Sequence, residues 1–124
     1  MSQDLIRLMN ALFLPAVHSC GEGLWCPAAD VYRLRHGWLV KFELAGVRAE
    51  DIDLTAHKNR LTLRGVRRDH VTEPRSVYRM EIEYSHFERS VELPSDLQRA
   101  DITTDFRDGM LLVHINDRTE EAQP

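Results

Sequence analysis

Trp38-Leu39-Val40-Lys41-Phe42-Glu43-Leu44-Ala45 is the stretch on which the fold turns. Trp38, Val40, Phe42 and Leu44 take alternate positions, and Leu39, Lys41, Glu43 and Ala45 fall between them. A period of two sends successive side chains to opposite faces of a strand, so the run predicts an apolar stripe with a mostly polar back. The alternation recurs downstream. Ile52, Leu54 and Ala56 alternate with Asp51, Asp53, Thr55 and His57, and Leu61, Leu63 and Gly65 alternate with Thr62 and Arg64. The turn His57-Lys58-Asn59-Arg60 joins these two runs as a hairpin.

Further along, Phe87, Arg89, Val91 and Leu93 form a stripe closed by Pro94. Ile102, Thr104 and Phe106 lead through Arg107-Asp108-Gly109 into Leu111, Val113 and Ile115, and Asp-Gly between alternating runs is a strong hairpin signal. With the less regular run Asp30 to Arg35 and the charged run Tyr78 to Tyr84, the chain holds seven or eight short strands and no helical pattern between them. Such spacing predicts an all-β, antiparallel sandwich rather than alternating βαβ units. The polar stretch Val66 to Val77, with Arg67, Arg68, Asp69, His70, Glu73, Pro74 and Arg75, reads as a long projecting loop, either functional or disordered.

Upstream, residues 1–27 have a different character. Ser2 can cap a helix, and Leu5, Leu8, Met9, Leu12 and Phe13 recur at three- and four-residue spacing until Pro15 stops them. So short an amphipathic helix is marginal alone, and its apolar face needs cover. The aperiodic stretch from Pro15 to Pro27 follows, holding Cys20, Gly21, Gly23, Leu24, Trp25 and Cys26. This arm either binds partners, sister subunits or non-native chains, or docks on its own domain.

Composition narrows the function. The 124 residues, 43% hydrophobic and 29% charged, suit one core. A net charge of −4 argues against general nucleic-acid binding. No run is long and apolar enough for a membrane span, and Asp4 and Arg7 stand where an exported protein has a basic and then an apolar region. A soluble, cytoplasmic protein with no membrane partner is expected, with Cys20 and Cys26 as reduced thiols. Cys20, Cys26 and His18 lack the fourth ligand and the spacing of a structural zinc site, so no metal is expected. The histidines at 18, 36, 57, 70, 86 and 114 are scattered, Ser85-His86 and Ser90 lie outside any nucleophile-elbow pattern, and no P-loop occurs. Neither an enzyme nor a cofactor is expected.

Read together, Leu44-Ala45-Gly46-Val47, Glu50-Asp51-Ile52, Asn59-Arg60-Leu61-Thr62-Leu63-Arg64-Gly65, Glu81, Phe87-Glu88-Arg89-Ser90-Val91-Glu92-Leu93-Pro94, Ile102 and Asp108-Gly109-Met110-Leu111 stand in the order and spacing of the α-crystallin domain. Over about residues 28–115 the chain resembles a bacterial-type small heat-shock protein. Ala45 stands for the usual Pro, Ser85 for the usual Gly, Thr104 for the usual Ala and Met110 for the usual Val.

The resemblance implies an immunoglobulin-like β-sandwich and an ATP-independent holdase that keeps partly unfolded clients from aggregating. It also implies a dimer in which the loop at about 66–80 carries a strand to the partner's edge at Asp30 to Arg35. Asp30, Tyr32, Leu34, Arg67, Arg68, Val77, Tyr78 and Arg89 would then lie at the interface, with Arg67 and Arg68 otherwise solvated charge. Arg89, the charge inside an apolar stripe, would form an ion pair holding the dimer or the sheet, or else snorkel to solvent. Clients or partners would meet Leu5, Leu8, Met9, Leu12, Phe13 and Trp25 of the arm, and a groove lined by Leu54, Ala56, Ile102 and Thr104. Family members plug that groove with an Ile-x-Ile tail, whereas residues 116–124 are acidic and lack one, and Val113-His114-Ile115 continues a strand. Dimers or small oligomers are therefore expected. The alternative is a co-chaperone or interaction module for one partner, such as a second small heat-shock protein whose tail fills the groove. A redox role for Cys20 and Cys26 is a third option.

Overall fold

In the computed structural model, which describes residues 20, 24–71, 73 and 76–118, the Trp38 to Ala45 alternation becomes the centre of a sheet. Strand β2 (Gly37–Glu43) turns Val40 and Phe42 inward to zero exposure and keeps Leu39, Lys41 and Glu43 half-buried on its back. It pairs antiparallel with β1 (Ala29–Leu34) on one side and β7 (Met110–Asp117) on the other. β6 (Ala100–Arg107) completes the order β1-β2-β7-β6. A second antiparallel sheet has the order β3 (Ile52–His57), β4 (Arg60–Arg67), β5 (Ser85–Glu92).

The two sheets share one core. Val40, Phe42, Leu111, Val113 and Ile115 from the first pack with Leu61, Leu63, Phe87 and Val91 from the second, as the inner faces of a sandwich do. The expected hairpins form: Asp108 and Gly109 both take positive φ (53° and 76°) between β6 and β7, and Lys58 takes φ 58° between β3 and β4. Positive φ at both central residues matches the right-handed twist of the flanking strands, which is why Asp-Gly is so legible a signal. Gly65 faces Phe87 across the β4–β5 ladder, and a Cβ there would overlap the Asp51 carbonyl oxygen and come within 2.5 Å of Phe87 Cζ. The ring of Phe87 fills the space that a side chain at position 65 would take.

Four sequence expectations meet a different outcome. The run Tyr78 to Tyr84 is not a strand, and no strand lies beside it among the described residues. β4 continues through Arg67, so the connection to β5 begins at Arg68, and β7 reaches Asp117 rather than ending at Ile115. Val113 and Ile115 are wholly buried in that strand. Cys20 and Cys26, expected as reduced thiols, are joined in a disulfide with Cα atoms 5.5 Å apart, inside the range that a disulfide spans. The six-residue separation allows the chain to double back. The amphipathic helix expected over Leu5 to Phe13 lies outside the described residues. Among the described residues, no helix is long and apolar enough to cross a membrane.

Candidate functional site

Two regions present apolar side chains and unpaired backbone. β1 is the outer strand of its sheet, with Val31 44%, Tyr32 42% and Leu34 38% exposed. Asp30 pairs with Lys41 at 3.6 Å, and the Lys41 ammonium lies 5.4 Å from the centre of the Tyr32 ring. The Tyr32 hydroxyl and then Asp30 hold the Lys41 pKa above the usual lysine value. Arg33 stacks on Trp38 at 4.5 Å, so the cations of this edge lie over rings rather than along the open backbone. The second region is the connection before β5. Tyr78 is almost fully exposed, and Met80 and Ile82 are more than half exposed, at alternate positions with Arg79, Glu81 and Glu83 between them. That is the side-chain pattern of a strand with no neighbour, and Val77 beside it is exposed too.

The expected groove residues lie along the two remaining edges. Leu54 and Ala56 on β3 and Ile102 on β6 are half-buried and rest on the core, while Thr104 is exposed. The turn Leu97–Arg99 ties the end of β3 to the start of β6: Leu97 N–H donates to the Lys58 carbonyl at 2.7 Å, and the Gln98 amide donates to the Ala56 carbonyl at 3.1 Å.

Arg67, expected at an interface or in solvent, is only 9% exposed, and its guanidinium is committed inside the chain. Its Nε donates to the Glu83 carbonyl at 2.7 Å and its Nη1 to the Ala45 carbonyl at 3.2 Å. Its plane lies 3.7 Å from the centre of Trp25, with Tyr84 at 5.8 Å. Trp25 in turn meets Phe87 edge to face at 5.3 Å. The Trp25 N–H donates to the His86 carbonyl at 3.2 Å and its carbonyl accepts from Glu88 N–H at 3.1 Å, a short parallel bridge onto β5. Trp25, expected to face partners, is thus clasped to its own sheet. The sequence holds one clue: Arg67 has the inward parity of Leu61, Leu63 and Gly65.

Arg68 remains exposed and grips Asp51 with two bonds of 3.0 and 3.3 Å. The Arg68 guanidinium holds the Asp51 carboxyl below its usual pKa, so the pair favours the fold above the unfolded carboxyl pKa and loses that effect as pH falls. Arg89, expected to form an ion pair in the dimer or the sheet or else to snorkel, is half-buried and has no ion pair among the described residues. Its Nη1 donates to the Pro27 carbonyl at 3.2 Å, its buried Nε has no partner, and burial pushes its pKa down. β5 turns this side chain toward the linker, where a carbonyl rather than a carboxylate meets it. Ser85 Oγ and His86 Nδ1 lie 3.3 Å apart on an exposed corner. Among the described residues no set of three His, Cys, Asp or Glu side chains could hold a metal ion. The chemistry on offer is that of adhesion: open edges, exposed apolar side chains and a cation-backed clasp.

Known proteins share this fold. The model of the Hsp20/alpha crystallin family matches residues 30–124. Small heat shock protein C2 of Rickettsia felis is 30% identical over 126 residues, covering 93% of this chain and 82% of that protein. The crystal structure of hspA from Xanthomonas axonopodis matches with a TM-score of 0.65 at 29% identity, over 77% of this chain and 97% of that one. A small heat-shock protein from Xylella fastidiosa matches with a TM-score of 0.65 at 26% identity, over 78% of this chain and 90% of that one. Matched by the family model over residues 30–124 and 30% identical to a relative of which it covers 82%, the chain belongs to the Hsp20/alpha crystallin family of small heat-shock proteins.

Proposed function

We propose that this small heat-shock protein is an ATP-independent holdase, built on a dimer in which the segment around Val77 to Ile82 of each subunit pairs with β1 of the other. One observation carries the reading: an exposed strand edge and an exposed segment of strand-like alternation occur in one chain, and neither has a strand partner there among the described residues. A sheet edge that is neither covered nor charged invites another strand. Asp30, Tyr32 and Leu34 would meet Val77 and Tyr78 there, and the unpaired Nε of Arg89 offers a buried donor to a partner's acceptor. Arg67 and Arg68 would support the interface indirectly, by holding the ends of the connecting segment.

Clients would be held by the arm residues Leu5, Leu8, Met9, Leu12 and Phe13, which lie outside the described residues, and by the groove at Leu54, Ala56, Ile102 and Thr104. No nucleic acid or membrane enters this reading, and the cytoplasm is its proposed setting. The Xylella fastidiosa protein is described as having a distinct high order structure; for this chain dimers or small oligomers are proposed. To test the activity, an aggregation-prone client is heated without ATP at comparable subunit concentration. Reduced light scattering is expected, and unchanged scattering at every ratio would sink the reading.

A second reading has its own observation. Val113-His114-Ile115, the run nearest to an Ile-x-Ile pair, is consumed in β7 with both apolar side chains at zero exposure. A groove not served by that run suits the tail of a different small heat-shock protein, making this chain a co-chaperone. Capture of many partly unfolded clients after heating favours the holdase; one stoichiometric partner without stress favours the co-chaperone.

A further inference from the structure

The interaction surfaces leave the Cys20–Cys26 disulfide without a role. Its two ends are anchored differently. Cys26 lies between Trp25, which is hydrogen-bonded to β5 and stacked under Arg67, and Pro27, whose carbonyl holds Arg89. Cys20 is brought to within 5.5 Å of Cys26, Cα to Cα, by the bridge itself. Cys26 is six positions after Cys20, enough to let Cys20 travel up to about 20 Å from Cys26 once the bond is open. The bond therefore fixes the distance of Cys20 from the anchored Cys26. Cys26 is half-buried and lines an open pocket of about 300 Å³ with Leu24, Glu83, Tyr84, Ser85 and His86, through which a small thiol could approach.

We propose that Cys20–Cys26 is a reversible thiol–disulfide exchange site that sets how far Cys20 stands from the anchored Cys26, with low-molecular-weight thiols and their disulfides as its reagents. A reagent thiolate entering the pocket attacks Cys26 Sγ and breaks the bond to Cys20, which leaves as thiolate and takes a proton from water. A second reagent thiol attacks the reagent sulfur of the mixed disulfide and frees Cys26. The protein disulfide gains two electrons, and two reagent thiols become one reagent disulfide. Oxidation runs the same steps in reverse. The clasp at Trp25 rests on Arg67 and β5 and not on the disulfide, so the sandwich is common to both states and only the distance between Cys20 and Cys26 changes. The site operates whether or not the chain is a holdase.

The test uses the full chain in glutathione buffers of stepped ratio, without denaturant. Alkylation followed by intact mass counts the thiols, and cleavage after Glu22, inside the bridged loop, reports how freely the loop opens to protease. Zero alkylated thiols in the oxidised state and two in the reduced state are expected, with cleavage roughly tenfold or more faster after reduction. The double variant Cys20→Ser/Cys26→Ser should be cleaved at the reduced rate in every buffer and should unfold in urea at the parent's midpoint. Failure of the bond to re-form in oxidised glutathione, equal cleavage of the two states, or a reductant response in the double variant would each overturn the proposal.

Discussion

Along β5 the chain lays its own Trp25 as a short parallel strand, backed by Phe87 and capped by Arg67. Along β1, five of six residues are exposed, and among the described residues no strand lies on its outer side. Both are outer strands of antiparallel sheets, and both present a row of backbone donors and acceptors that could recruit another chain. The contrast separates two uses of an edge. Covering β5 from within makes that side of the sandwich part of the fold, so its contacts belong to stability. Leaving β1 open reserves its hydrogen bonds for a second subunit, so its contacts belong to assembly.

Substitutions should divide along that line. The largest effect is expected from Arg67→Ala, which leaves the Glu83 and Ala45 carbonyls without their donor and Trp25 without its cation. A loss of about 3 kcal/mol in urea unfolding is predicted, with Arg67→Lys recovering about half because an ammonium lacks the planar fork. A variant as stable as the parent would show that the clasp does not hold the covered edge. Next comes Val31→Lys on the open edge. Its urea midpoint should stay within about 0.5 kcal/mol of the parent, because the position is already exposed. Its self-association, followed by sedimentation, should weaken by roughly tenfold, about 1.4 kcal/mol; an unchanged dissociation constant would remove β1 from the interface. The smallest effect concerns Ser85, which opens β5 at φ 80°. Ser85→Gly should stabilise the chain by about 1 kcal/mol in the same unfolding assay, since the left-handed region is open to glycine without steric cost. Lower stability would mean that the Ser85 hydroxyl, beside His86, matters more than the backbone.

Much of the sandwich is legible in the order of the residues. Alternation is local, so Trp38 to Leu44, Ile52 to Ala56 and Leu111 to Ile115 each declare which face is buried, and Asp108-Gly109 declares its hairpin. The candidate site is less legible, because its parts are far apart in the chain and meet only in the fold. Only the packing of β4 against the linker stacks Arg67 on Trp25. Arg89 stands out as a charge in an apolar stripe, but its acceptor, the Pro27 carbonyl, carries no residue-type signal that a reader could search for. Tyr78 to Ile82 has the pattern of a strand and no strand partner among the described residues, since pattern reports what a segment can do and pairing depends on what lies beside it.

By itself, then, the sequence determined the sheets, their inward faces, their turns and the family resemblance, because side-chain direction and turn geometry are set by neighbouring residues. Tertiary structure alone decided which edge is covered and which is open, where Arg67 and Arg89 find their acceptors, and that Cys20 meets Cys26. Those outcomes depend on where the finished sandwich brings distant segments, and no local period encodes that.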